Sequence, residues 1–274
     1  MIFDLKSGKR RRVVQVIFGF LAFVFFISFV GFGIGSDVSG GIFDALGLSG
    51  GSSSSSDSGF EQQIEDTEEK LAADPEDRRA LVDLVNYRLL AATDSEDAVR
   101  IDQATGTAAI TEEARADLVA ALEAWDRYLE TDPRPISADA AGDVVQIHDL
   151  LFRAALGSGD ASAALAAAEE AAKAGQIAAA ERKTLNDYAT LANYLYIAGR
   201  VDAGDAAVER ALGVADEGSS EQFEQALKSY ARRGAALNKE LDKRIEQGDA
   251  QGAIEDPFGT LGGGAGAIPP ASTP

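Results

Sequence analysis

An uncharged apolar stretch near the N-terminus constrains this chain more than any other feature of its sequence. Residues 13–34 read VVQVIFGFLAFVFFISFVGFGI, which is 22 residues without an ionisable side chain. As a helix rising about 1.5 Å per residue, this stretch is roughly 33 Å long, enough to cross a hydrocarbon core of about 30 Å. We therefore expect a transmembrane helix over residues 13–34.

The residues that precede this stretch predict its orientation. Residues 1–12 hold five bases (Lys6, Lys9, Arg10, Arg11 and Arg12) against one acid, Asp4. Basic flanks stay on the cytoplasmic side, so the pattern predicts a basic cytoplasmic tip, a single pass of the plasma membrane and an extracytoplasmic remainder. Two alternatives are a buried core helix and a cleaved signal peptide. Core helices rarely run this long without a polar stripe, and signal-peptide cores are shorter, about 7–15 residues, with a small-residue cleavage site.

The composition excludes several kinds of chemistry. The 274-residue chain has no cysteine and a single histidine, His148. Thiolate metal sites, disulfides and cysteine nucleophiles are therefore excluded, and His148 lies in an apolar helical pattern typical of a packing residue. The sequence contains no phosphate-binding glycine loop, serine elbow or zinc-protease motif. We accordingly predict a protein that is not an enzyme, with no catalytic residue, cofactor or metal.

The charge balance argues against a nucleic-acid partner. Acidic residues outnumber basic ones 45 to 25, a net charge of −20, and because the basic tip is positive, the residues after it carry −24. Proteins bind nucleic-acid phosphates mainly through Lys and Arg, which this part of the chain has too few of. A protein or peptide is the expected partner.

Two flexible segments flank the central body. Residues 35–59 contain seven glycines and nine serines among 25 positions. A coil of this kind has a root-mean-square reach of roughly 25–30 Å. Residues 251–274 are rich in Gly, Ala and Pro and are predicted to be a disordered tail. The body, residues 60–250, is therefore expected to be tethered near the membrane.

The body is predicted to be all-α. It is dense in Ala, Leu, Glu and Arg, with no alternating strand pattern, and Pro75, Pro133, Gly159 and Gly199 mark breaks. The predicted helices are 60–73, 76–92, 111–130, 138–157, 160–174, 178–198, 201–214 and 219–247.

Two stretches of the body share a spacing of small and apolar residues around a turn glycine. Similar residues recur when Gly159 and Gly199 are aligned. They are Leu151, Phe152, Ala155, Ala164, Ala168, Ala171 and Ala172 around the first glycine, and Leu191, Ala192, Leu195, Gly204, Val208, Ala211 and Leu212 around the second. The pattern resembles the tetratricopeptide repeat (TPR), in which small residues let two antiparallel helices approach closely. A split copy, interrupted over Thr93–Thr111, extends the resemblance to residues 75–216; another antiparallel array or bundle is the alternative.

The resemblance implies a concave groove lined by the first helix of each pair. The groove residues that it implies are Arg79, Asn86, Gln146, Arg153, Asn186, Asn193 and Tyr196. Asn and Arg side chains at such positions bind the backbone or carboxylates of an extended peptide. The sequence departs from the carboxylate clamp of chaperone-binding TPR proteins, because Val82 and Asp149 replace basic residues of that clamp. The alternative interpretation is an ordinary polar face exposed to solvent.

The order of basic tip, span, linker and acidic helical body resembles bacterial single-pass TPR proteins, including those associated with the Sec translocon. This resemblance implies a membrane-tethered adaptor, scaffold or co-chaperone that binds a segment of an envelope or secreted protein outside the cytoplasm.

The last predicted helix carries one apolar seam. Its members are Phe223, Leu227, Tyr230, Gly234, Leu237 and Leu241. A seam with these spacings of three and four predicts a helix that caps the last repeat. Alternatively, the seam joins two copies of the chain as a coiled coil. In that case the protein would be a structural, oligomerising component of an envelope assembly, held together by this helix and the span.

Overall fold

The computed structural model describes residues 57–95, 97–102, 104–215 and 220–248. The predicted basic tip 1–12, the span 13–34, the disordered tail and all but the last three residues of the linker lie outside this part of the chain. Within the described residues, no helix combines the length and the apolar composition needed to cross a membrane.

The described part is mostly helical, which confirms the prediction of a helical body. Its elements, in chain order, are α1 Asp57–Ala73, α2 Arg78–Asp94, β1 Val99–Ile101, β2 Ala108–Ile110, α3 Glu112–Glu130, α4 Ala138–Ser158, α5 Ala161–Arg182, α6 Leu185–Ile197, α7 Val201–Val214 and α8 Ser220–Gln247. Helix α1 already includes Asp57, Ser58 and Gly59, which are the last three residues of the predicted linker.

The helices from α1 to α7 pack mainly on their neighbours in sequence. The pairs α2 with α3, α4 with α5, and α6 with α7 form three successive hairpins, and α5 also packs on α6. The connection from α4 to α5 is only Gly159 and Asp160, so these two helices run in opposite directions. Helix α1 covers α2 at one end of the series, and α8 covers α6 at the other.

Alanines line the interfaces between these helices. Helix α5 buries Ala164, Ala168, Ala171, Ala172 and Ala179 at no more than 1% exposure. Small side chains allow the helix axes to approach, and larger side chains on the neighbouring helices fill the space between them. The largest fully buried side chains include Leu81, Leu118, Ile147, Phe152, Leu156, Ile197 and Leu241.

Side-chain caps fix where several helices begin. Asp77, Thr111, Ser137, Asp160 and Thr184 each accept a hydrogen bond from a backbone N–H in the first turn of the helix that follows. These bonds satisfy donors that have no partner inside the helix.

One predicted helix break is wrong. The sequence predicted that a helix would end at residue 174 and that the next would begin at 178, but α5 continues without interruption to Arg182. Gly175 lies inside α5, where an added Cβ would make ordinary contact with Leu191 of α6 at 3.7 Å. The chain turns instead at Lys183, whose φ of 55° is left-handed, and Thr184 caps the next helix.

The interruption between α2 and α3 contains a β-hairpin that the sequence did not predict. Val99 pairs with Ile110 and Ile101 with Ala108 in antiparallel register. Strand β2 packs on α4, where a Cβ at Gly157 would lie 3.0 Å from the backbone oxygen of Ala108. The absence of a side chain at Gly157 therefore permits this close contact.

The apolar seam of α8 is buried within the chain. Phe223, Leu227, Leu237 and Leu241 are each no more than 5% exposed. The helix packs on α6, α7 and α5.

Candidate protein-binding groove

An open groove of about 260 Å³ lies between α4, α5 and α6. Seven of its eleven lining residues are polar or charged: Asp139, Asp143, Gln146, Arg182, Asn186, Asp187 and Thr190. The others are Gly142, Val145, Gly175 and Ala178.

Glycine at position 142 leaves room for the guanidinium group of Arg182. The guanidinium of Arg182, from the end of α5, lies against Gly142 of α4. A Cβ at position 142 would come within 2.9 Å of the Arg182 Nη2 atom. A larger residue at position 142 would therefore displace this guanidinium.

Arg182 is held in place by two carboxylates. Its Nη2 donates to Asp187 Oδ1 at 2.7 Å and its Nε to Asp187 Oδ2 at 3.2 Å, while Nη1 donates to Asp139 Oδ1 at 3.2 Å. The side chain of Asp139 is 93% exposed, whereas that of Asp187 is 9% exposed. The Asp187 pair is therefore the stronger of the two, because exposed ion pairs contribute little.

Asp187 also belongs to the cap of α6. The Thr184 hydroxyl donates to Asp187 Oδ2 at 2.5 Å and accepts from the Asp187 backbone N–H at 3.1 Å. Burial raises the pKa of Asp187, but the hydrogen bonds from Arg182 and Thr184 more than offset this effect, so the pKa lies below its usual value.

Asp143 supplies a third carboxylate, which is half-buried. Asn86 of α2 donates from Nδ2 to Asp143 Oδ2 at 3.2 Å. Burial raises the pKa of Asp143; the hydrogen bond from Asn86 opposes that rise only in part. With three carboxylates and one guanidinium, the lining carries an excess of negative charge.

The structure brings together only part of the predicted groove set. Gln146 and Asn186 are exposed and line the groove, and Asn86 contacts it through Asp143. Arg79 lies apart, with a side chain that is 91% exposed and 3.9 Å from Asp83. Asn193 is half-buried on α6 and does not line the groove.

The β-hairpin covers Arg153. This side chain is only 19% exposed, donates from Nη1 to the Gly106 backbone oxygen at 2.9 Å, and pairs with Asp149 at 2.6 Å. Asp149 also accepts a hydrogen bond from the Tyr194 hydroxyl. Because the pair Asp149 and Arg153 anchors the tip of the hairpin, this part of α4 is not an open binding surface.

Tyr196 is a core residue and not a groove residue. It is 2% exposed, its hydroxyl donates to Asp205 at 2.8 Å, and its ring covers Gly204 of α7. Gly234 of α8 lies against its Cβ. Tyr196 thus fastens three helices together, and we leave it out of the candidate binding surface.

The charged residues of the groove were not predicted from the sequence. Asp139, Asp143 and Arg182 were not among the predicted groove residues. The position of Arg182 at the end of a helix could have been predicted. Thr184 and Asp187 have the spacing of a helix N-terminal cap, so the preceding helix ends at residues 182–183.

His148 of α4 is half-buried, with Glu170 and Lys173 of α5 nearby. Burial lowers its pKa, while nearby Glu170 raises it and Lys173 lowers it further, with a net decrease. In the part of the chain that the structure describes, no three His, Asp or Glu side chains are grouped so that they could hold a metal ion.

Comparison with known proteins gives no relative. No protein-family model matches the chain, and neither a curated protein nor a solved structure does.

Proposed function

We propose that this protein is a membrane-tethered, TPR-like adaptor or co-chaperone that binds an extended protein segment outside the cytoplasm. The observation that carries the proposal is the polar groove between α4, α5 and α6, which is open and lies between successive helical hairpins.

The side chains of the groove suit a peptide backbone. Gln146 and Asn186 are exposed, and each amide has both donors and an acceptor for main-chain N–H and C=O groups. Asp139 and Asp143 add carboxylates, while the one guanidinium of the lining, that of Arg182, is already paired with Asp139 and Asp187. The excess of acid favours a segment with Lys or Arg near its centre.

The arrangement of the helices supports a repeat architecture. Three helical hairpins follow one another in sequence and in space, with α1 and α8 covering the ends. Solenoid repeats pack on their neighbours in this way and need covered ends. Membership of the TPR family is part of the proposal and rests on this arrangement and on the pattern of small residues.

The membrane tether rests on the sequence. Residues 13–34 are long and apolar enough to span a bilayer, and the Gly/Ser-rich residues that follow give the body a radius of movement of roughly 25–30 Å. The basic tip favours a body on the extracytoplasmic side.

The structure does not favour the alternative of an oligomeric assembly joined by α8. The seam that would form such a contact is buried against α6 and α7 of the same chain. A coiled coil through this seam would require α8 to detach from the body.

A pair of tryptophan variants tests the proposed function. Gln146→Trp fills the open groove, whereas Glu209→Trp places the same side chain on an exposed position of α7. Full-length protein purified in mild detergent from cross-linked cells should retain one or a few envelope proteins. We expect Gln146→Trp to lose them and Glu209→Trp to keep them. Equal retention by the two variants would contradict the proposal.

A further inference from the structure

A basic stripe runs along the exposed side of α8. Its members are Lys228, Arg232, Lys239 and Lys243, which are all exposed. They are separated by four, seven and four residues, so at 3.6 residues per turn they share one face of the helix. Gly234, which faces α6, lies on the opposite side.

The stripe stands out against the charge of the rest of the protein. Residues 35–274 carry a net charge of −24, yet between Gln225 and Lys239 the sequence has four bases and no acid, and three of these bases, Lys228, Arg232 and Lys239, belong to the stripe. Two exposed alanines, Ala235 and Ala236, lie beside the stripe. Small side chains there leave the charged groups free to approach a flat surface.

The basic groups of the stripe are available to an external anion. Among the described residues, Arg232 and Lys239 form no ion pair. Lys228 pairs with Glu224 at 2.5 Å and Lys243 with Glu240 at 3.8 Å, in both cases along the exposed helix surface. Exposed pairs of this kind are weak and easily exchanged.

We propose that the basic stripe of α8 docks on an anionic phospholipid surface and thereby sets which side of the body faces the membrane. A row of Lys and Arg is attracted to anionic headgroups within about one Debye length, roughly 8 Å at physiological salt. Anionic headgroups repel the remaining surface of the body, which is acidic on balance. The stripe is therefore the side of the described body best suited to approach the membrane.

The inference rests in part on the proposed tether. Four bases attract a membrane only weakly, but the proposed span and linker would keep the body at a high effective concentration near the bilayer. The groove is lined by α4, α5 and α6 and contains no residue of α8. Docking through α8 therefore leaves the groove open to a partner.

Energy transfer in vesicles tests this inference. The chain has no cysteine, so Ala235→Cys introduces a single site for a donor dye beside the stripe, and Glu209→Cys a matched site on α7. The full-length protein is reconstituted into vesicles that carry a headgroup-labelled acceptor. One set contains equal parts of phosphatidylglycerol and phosphatidylcholine, and the other contains phosphatidylcholine alone.

We expect transfer from position 235 to be about threefold higher on anionic than on neutral vesicles, and the difference to vanish near 1 M salt, where the Debye length is about 3 Å. Transfer from position 209 should change little. The result that overturns the inference is equal transfer from position 235 on both kinds of vesicle. Equal transfer is also the result expected if the stripe binds an acidic protein instead of the membrane.

Charge variants provide the matched control. Replacement of Lys228, Arg232, Lys239 and Lys243 by Gln should abolish the difference, whereas Gln at the exposed residues Lys70, Arg79, Arg115 and Arg134 should preserve it. If both sets reduce the signal equally, overall charge is responsible and the inference fails.

Flotation separates this inference from the tether. Flotation with neutral vesicles reports the apolar span. If the protein floats with anionic vesicles but not with neutral ones, and the stripe variant floats with neither, the result would support docking through the stripe and contradict the membrane tether. Failure to float with either kind of vesicle would contradict both.

Discussion

Gly234 of α8 packs directly on Tyr196 of α6: a Cβ at position 234 would lie 2.6 Å from the Tyr196 Cβ and 3.2 Å from the backbone N of Ile197. Glycine in the middle of a helix normally costs about 1 kcal/mol relative to alanine. Here it is required by the contact, because any side chain would push α8 away from α6.

Gly234→Ala should therefore destabilise the protein by about 1–3 kcal/mol, since overpacking outweighs the gain in helix propensity. Gly213→Ala in α7 is the matched control, because a Cβ there meets nothing within 4 Å. We expect this control to stabilise the protein by about 0.5–1 kcal/mol. Urea unfolding measures both, and equal effects would contradict the assigned packing.

Asp187→Asn should destabilise the protein by about 1–3 kcal/mol at neutral pH, because it removes a carboxylate that is buried and hydrogen-bonded by Arg182 and Thr184. Since the folded-state pKa of Asp187 is lowered, its contribution is fully present above the unfolded-state pKa near 3.8 and is lost as the pH falls through the folded-state value.

The check is urea unfolding of wild type and Asp187→Asn at several pH values between about 6 and 3. The difference in unfolding free energy should shrink towards the acidic end. A difference that stays constant over this range would show that Asp187 has no lowered pKa.

Arg153→Met should loosen the β-hairpin. The substitution keeps an apolar stem but removes both the hydrogen bond to the Gly106 oxygen at 2.9 Å and the ion pair with Asp149 at 2.6 Å. We expect faster hydrogen exchange at the hairpin amides of Asp102 and Thr111, by up to about tenfold for a loss near 1.4 kcal/mol. Arg79→Met removes an exposed arginine of α2 and should leave these amides unchanged; the same acceleration in both variants would refute the anchoring role of Arg153.

Cysteine labelling tests the predicted topology. Single variants Ser7→Cys in the basic tip and Asp242→Cys on the exposed side of α8 are treated with an impermeant maleimide on intact cells. We expect labelling of Asp242→Cys at once and of Ser7→Cys only after lysis. The reverse pattern, or labelling of neither site before lysis, would contradict an extracytoplasmic body.

Much of the helical body was predictable because its breaks have local chemical causes. Pro75 and Pro133 cannot continue a helix, and Gly159 adopts a left-handed φ of 78° that favours glycine. The apolar seam of α8 likewise identified four side chains that the structure buries.

Other features depend on contacts that are distant in sequence. The sequence predicted a helix break between residues 174 and 178, but α5 continues through it, and an added Cβ at Gly175 would make only ordinary contact with Leu191 of α6 at 3.7 Å. The strands of the hairpin have only three residues each, too few for an alternating pattern, and their position follows from contact with α4.

The groove was only partly predictable for the same reason. A repeat pattern predicts which helix face lines a groove, and of the residues it indicated, Gln146 and Asn186 line the groove between α4, α5 and α6. It does not reveal that an inserted hairpin covers Arg153, nor that Gly204 of α7 and Gly234 of α8 both pack against Tyr196.

Site-specific photocrosslinking in living cells tests the central claim most directly. A photoreactive residue replaces Asn186 in the groove or, as control, Glu209 on α7, in the full-length protein. The account predicts a discrete adduct with a partner protein at position 186, none at position 209, and loss of the adduct when Gln146→Trp fills the groove. No adduct at position 186, or the same adducts at both positions, would contradict a peptide-binding groove.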